Sequence, residues 1–131
     1  MAKALTVSEA GLAQVITSRQ HRMTADEPLS AGGTDTGPAP YEVLLASLGA
    51  CSSATLRMYA DRKGWNLGRI EVLAAFARDD AGVESIHRTV KLGAPLGEEQ
   101  RARLAEIIEK TPVTRTLKRS MTITTEFLDR P

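Results

Sequence analysis

The sequence predicts an α+β fold in which antiparallel sheets wrap around a long, apolar central helix. Three observations carry this. The run from Val43 through Leu56 holds no charged residue, in a chain where 25% of residues are charged. Read as a helix, that run has no polar face, which is the mark of a helix buried all round. The segments before and after it alternate apolar and polar residues with the two-residue period of half-buried strands. Their order is β-β-β, helix, β-β, helix, short helix, β, which favours a mostly antiparallel sheet over repeated parallel βαβ units. One chain supplies only a half-set of elements to enclose such a helix, so the sequence also predicts an intertwined homodimer.

The 131 residues read as one domain. N-terminal strands occupy residues 1–26: Leu5 and Val7 alternate with polar neighbours, Leu12 to Ser18 follows, and His21, Met23 and Ala25 share one side of a third strand. Residues 27–39 form a loop, rich in Pro and Gly and without a period. Its Gly32-Gly33 pair lacks the Gly-Lys-Ser/Thr ending of a phosphate-binding loop. The central helix spans 40–63. Pro40 suits the first turn, where its missing N–H costs nothing, and Gly64 supplies the stop. Residues 69–92 form a hairpin, with Ile70, Val72, Ala74 and Phe76 facing one way and Asp79-Asp80-Ala81-Gly82 turning the chain. Two helices fill 97–118. Leu104, Ile107 and Ile108 form the buried stripe of the first, and Thr111-Pro112 opens the second. A last strand is expected over 120–128, where Met121, Ile123, Thr125 and Phe127 alternate with Thr122, Thr124 and Glu126.

Composition narrows the function. A net charge of +1 and 4% aromatic residues give no electrostatic or stacking case for nucleic acid. The uncharged run is shorter than the ~18 residues of a membrane span, and MAKALTVSEAG has no apolar signal region. The expected location is therefore the cytoplasm, without nucleic-acid or membrane partners. One cysteine and two distant histidines offer no metal site, and no motif points to a cofactor. Ser52 and Ser53 lack the surroundings of a nucleophile elbow and read as packing residues.

Cys51 remains. From residues alone it reads first as a small buried hydrophobe. A reactive thiol there needs a cation brought in from elsewhere, and Arg19, His21 and Arg22 on the N-terminal strands are the available groups.

The run GGTDTGPAPYEVLLASLGACSSATLRMYADRKGW, followed by the hairpin, EEQRARLAEIIEK and TPVTRTL, resembles the OsmC/Ohr family. It is most similar to the branch reading GPxPYELLLAALGACTxMTLRMYADRKGW and KCPVHRTL. The resemblance covers nearly the whole chain. It implies an α+β intertwined dimer with two central helices clasped by sheets of both chains. It also implies thiol-dependent reduction of organic hydroperoxides. In that family a first cysteine attacks the peroxide and becomes a sulfenic acid, and a second cysteine resolves it. An Arg and a Glu activate the first, at a site shared between subunits.

Cys51 matches the first cysteine of that scheme. Thr111 stands where the family has its second, and Thr114 replaces the same motif's His. The activating Glu sits ten residues before the cysteine, where this chain has Tyr41. Its neighbour Glu42 is the expected catalytic carboxylate; it lies nine residues before Cys51, which at about 100° per residue is the opposite side of a continuous helix, so the role requires a kink after Pro40. Arg22, with Arg19 as the alternative, is the expected guanidinium. Tyr41, Leu48 and Thr111 are the expected substrate-lining residues. The sequence therefore reads as a peroxidase acting through Cys51 without an internal resolving thiol, on a small organic hydroperoxide and with an external thiol reductant. The alternative is a non-catalytic relative that binds a small hydrophobic ligand in the dimer cleft.

Overall fold

The short alternating segments at the N-terminus become three strands, β1 (Leu5–Val7), β2 (Gln14–Ser18) and β3 (His21–Ala25), in a computed structural model that describes residues 1–128. They form an antiparallel meander, with Val7 opposite Val15 and Val15 opposite Thr24. The β2–β3 turn holds two residues, and Arg19 takes the positive φ of 54° that such tight hairpins require. Helices α1 (Pro40–Lys63), α2 (Glu98–Ile108) and α3 (Pro112–Lys118) and a hairpin of β4 (Ile70–Arg78) and β5 (Glu84–Leu92) complete the α+β fold. The chain divides into two compact units, and both α1 and the hairpin contribute to each.

The first unit holds Met1–Gly49 and Leu73–Thr89. The loop between β3 and α1 is organised by one buried carboxylate. Asp26 is 1% exposed. Its Oδ2 accepts hydrogen bonds from the hydroxyls of Thr34 and Thr36, each at 2.7 Å, and from both their backbone N–H groups. Its Oδ1 accepts the N–H of Glu27. The Thr34 and Thr36 hydroxyls lead the causes that hold this carboxyl well below the usual carboxylate range. The loop packs closely enough that only glycine fits at two points. A Cβ on Gly33 would stand 2.0 Å from the Glu27 carbonyl oxygen, and one on Gly37 would stand 2.4 Å from that of Thr24. Most of the loop has no regular structure, but Leu29–Ala31 forms a single 3₁₀ turn.

The second unit holds Ala50–Val72 and the chain from Val90 onward. Its core is Leu56 and Ala60 of α1, Leu67, and Leu104 and Ile108 of α2, flanked by Tyr59, Trp65, Ile70, Val90, Leu92, Leu96 and Ile107. Gly64, at φ 72°, ends α1 in a Schellman turn. Trp65 N–H donates to the Ala60 carbonyl and Gly64 N–H to that of Asp61. That turn sends Trp65 and Leu67 back against the helix they follow.

Two expectations change. No strand forms within the chain over 120–128, which pairs with none of the described strands. Its apolar positions stand open, with Ile123 83% and Phe127 94% exposed. A strand needs a neighbour for its backbone N–H and C=O groups, and the single chain supplies none there. The helix expected to be enclosed on every side is covered on one face. Leu48, Ser52, Leu56 and Ala60 make a buried line at four-residue spacing. Leu44, Ala46, Ser47, Ala50, Ala54 and Met58 form an exposed stripe on the other side. The full 24-residue helix passes for a membrane span by length and composition alone, although the uncharged run by itself is too short. Core helices pass the same test.

Candidate functional site

Cys51 lies halfway along α1, half-buried, between the covered line and the open stripe. The charge-free sequence around it produces this setting. Small residues at Ala46, Ser47, Ala50 and Ala54 leave the stripe beside the thiol shallow, and no charged side chain rises from the helix between Glu42 and Arg57.

Thr111, where a second thiol was in question, is fully buried at the start of α3. Pro112 begins that helix, so Thr111 takes the extended cap conformation. Its hydroxyl shares a 2.5 Å hydrogen bond with the hydroxyl of Thr114, which also reaches the Ile108 carbonyl at 3.4 Å. Two buried hydroxyls satisfy each other there. Neither supplies redox chemistry.

Tyr41, in the first turn of α1, enters a cluster that the sequence did not reveal. Its ring stacks on Phe76 of β4, with centroids 4.7 Å apart. The Arg78 guanidinium lies 5.4 Å from the Phe76 centroid, and its Nη2 approaches the Tyr41 hydroxyl at 3.5 Å. Arg78 also donates through Nε and Nη2 to one Glu84 oxygen across the hairpin tip. This pairing keeps the guanidinium still more firmly protonated than usual. The signal was available: Phe76 and Arg78 are two residues apart on one strand and so share a face, and Glu84 opens the returning strand.

The remaining expected residues have separate settings. Glu42 accepts the Ala39 N–H at 2.8 Å, anchoring the start of α1 at the helix end where a negative charge is favoured. Arg22 sits exposed on β3 opposite Thr17. Leu48 is buried at 4% exposure. Tyr41 is thus brought together with Arg78 and Glu84, and Thr111 with Thr114, whereas Glu42 turns back on its own helix start. Among the described residues no three His, Cys, Asp or Glu side chains gather as metal ligands.

Comparisons with known proteins follow the same architecture. A Psychrobacter arcticus 273-4 structure, described as an osmotic stress induced and detoxification response protein, superposes with a TM-score of 0.78 at 15% identity, covering 88% of each chain. The OsmC-like protein of Mycoplasma pneumoniae gives 0.72 at 21% identity, over 90% of this chain and 86% of the other. The organic hydroperoxide resistance protein OhrB of Bacillus subtilis gives 0.62 at 24% identity over 90% of both. At these identities the likeness is one of fold. No curated protein matches the sequence. The family model described as OsmC-like protein matches residues 33–126, from the loop before α1 to the C-terminal segment. On that match, the chain belongs to the OsmC-like protein family.

Proposed function

We propose that this protein reduces organic hydroperoxides at Cys51, as a homodimer, with an external thiol as reductant. The observation that carries this reading is the position of its single thiol, half-buried beside the open apolar stripe of α1 in a chain of this family. Such a stripe, once covered, gives an apolar setting suited to a lipid-like or aromatic peroxide; of the expected lining residues Tyr41 is exposed, whereas Leu48 and Thr111 are buried within the single chain. The hydroperoxide resistance named for OhrB supports the same substrate class.

The chemistry closes without a second cysteine in the chain. The Cys51 thiolate attacks the distal oxygen of ROOH and the O–O bond breaks. The alkoxide takes a proton to leave as ROH, and sulfur is oxidised to the sulfenic acid. One external thiol then displaces water to form a mixed disulfide, and a second releases Cys51 and the oxidised reductant. Thr111 and Thr114 take no part in that resolution, so excess peroxide drives Cys51 onward to sulfinic acid. A cation beside the sulfur favours the thiolate. Glu42 contributes by fixing the start of α1.

The dimer is supported by area. The chain exposes 10204 Å², whereas a folded monomer of 14.1 kDa exposes about 6,700 Å². A compact protein of twice that mass exposes roughly 11,200 Å². Association of two chains into such a body would bury on the order of 9,000 Å², beyond the usual span of obligate dimers. The α1 stripe and residues 120–128 are the surfaces to be covered, the latter as a strand added to the second copy.

The Thr111–Thr114 hydroxyl pair favours a second reading, a non-catalytic dimer that binds a hydrophobic ligand. Turnover of cumene hydroperoxide with dithiothreitol or a dihydrolipoyl thiol, abolished in Cys51→Ser, supports the peroxidase. A wild-type thiol that forms no sulfenic acid with excess peroxide leaves only the second.

A further inference from the structure

The N-terminal strands do not supply the best-held guanidinium beside the thiol-bearing helix. Arg103 of α2 donates to Tyr59 toward the C-terminal end of α1 at 2.9 Å, and Arg78 reaches the first turn; Arg22 and Arg78 are both exposed in the single chain. Arg78 is fixed from three sides: paired with Glu84, set against the Phe76 ring and directed at the Tyr41 hydroxyl in the first turn of α1. This arrangement holds a cation at one end of the uncharged stripe.

We propose that Arg78 is the cation of the Cys51 site, and that it serves the thiol of a second copy of the chain. The inference rests on the peroxidase dimer above and names the residue that activates its sulfur. Tyr41 precedes Cys51 by ten residues, about 15 Å along a helix at 1.5 Å per residue. Helix side chains lean toward the N-terminus, so the Tyr41 hydroxyl and the Arg78 beside it extend away from Cys51 of the same helix. Two-fold packing reverses this. The small exposed residues Ala46, Ser47 and Ala50 permit close approach of two α1 helices. A two-fold axis crossing them near Ser47 makes them antiparallel and sets the first turn of one against the Cys51 turn of the other. Arg78 then supports the thiolate before attack and the alkoxide as it leaves. Tyr41 and Glu84 act as positioning residues that hold the guanidinium in place.

The test is the rate of Cys51 alkylation by iodoacetamide in the intact dimer, at pH 7 and across the pH range on either side. An opposite charge within a few ångströms moves a titrating group by a unit or more, so Arg78→Gln is expected to slow alkylation at pH 7 by roughly tenfold. Its pH profile should shift upward. Arg78→Lys, which keeps the charge and can still pair with Glu84, should fall between, and Arg22→Gln should match the wild type. A tagged heterodimer then joins an Arg78→Gln chain to a Cys51→Ser chain. Its only thiol faces the intact Arg78 of the other copy and should react at the wild-type rate.

An Arg78→Gln profile that overlays the wild type, a shift in Arg22→Gln instead, or a heterodimer as slow as Arg78→Gln overturns the proposal. If Arg78→Gln does not fold, Arg78→Lys decides the matter: a slower rate at pH 7 than the wild type supports the proposal, and a profile that overlays the wild type overturns it. Failure of the peroxidase reading is seen separately, as a wild-type Cys51 that alkylates readily and forms no sulfenic acid with peroxide.

Discussion

Placing a charge on the open stripe of α1 separates a covered face from a solvated one. Ala54 lies on that stripe and is exposed in the single chain. If the stripe stays in water, Ala54→Arg is a surface change worth no more than about 0.5 kcal/mol. If a second copy covers it, the guanidinium must be taken out of water without a partner. Even after relaxation that costs several kcal/mol. A penalty of about 3 kcal/mol weakens Kd more than a hundredfold. Over an interface of the size estimated from the exposed area, the variant is expected to lose its dimer or to unfold with it. Light scattering at micromolar concentration checks this, with the wild type expected at twice the mass of one 14.1 kDa chain. Ala105→Arg, on the exposed side of α2, is the control and should leave the mass unchanged. A monomeric wild type, or an Ala54→Arg dimer with unchanged mass and melting temperature, would refute the reasoning.

Leu56→Ala removes a side chain that is 2% exposed in the α1–α2 core, and should cost about 2–5 kcal/mol and lower Tm by roughly 8 °C or more. Gly33→Ala puts a Cβ against the Glu27 carbonyl and should lower Tm, whereas Ala in place of Gly82 at the hairpin tip meets no atom and bears only the strain of its positive φ. Asp26→Asn should destabilise the loop at neutral pH. Because the folded carboxyl lies below its unfolded value, its contribution is complete above the unfolded pKa of about 3.9 and is lost as pH falls toward the folded one. The melting temperatures of wild type and Asp26→Asn should therefore differ at pH 7 and converge in strong acid; a constant difference would contradict the assignment. Ile123→Asp should weaken the dimer while leaving the α1–α2 core intact, read as a lower mass at unchanged helical circular dichroism.

The fold was legible where local pattern alone determines structure. The strict alternation of Ile70, Val72, Ala74 and Phe76 makes β4, and Gly64 after Lys63 makes the Schellman end of α1. Residues 120–128 carry as clear an alternation, yet no strand forms there, because pairing depends on a neighbour that sequence periodicity does not supply. The helix shows the same limit: a charge-free run from Val43 to Leu56 does not tell which of its faces the rest of the chain covers. At the site, Cys51, Thr111 and Tyr41 were visible as positions. Their surroundings were not, since Tyr41 meets Phe76 and Arg78 across some 35 residues of intervening chain, and a strand position does not say which helix turn it will touch.

The central claim is that Cys51 is a peroxide-reactive thiol. Its most direct test is the mass of the intact wild-type protein after brief exposure to equimolar cumene hydroperoxide, with a sulfenic-acid trap present. One trapped adduct is expected, located at Cys51 and absent from Cys51→Ser. A protein that keeps its free thiol, untrapped and unoxidised under excess peroxide, would contradict it.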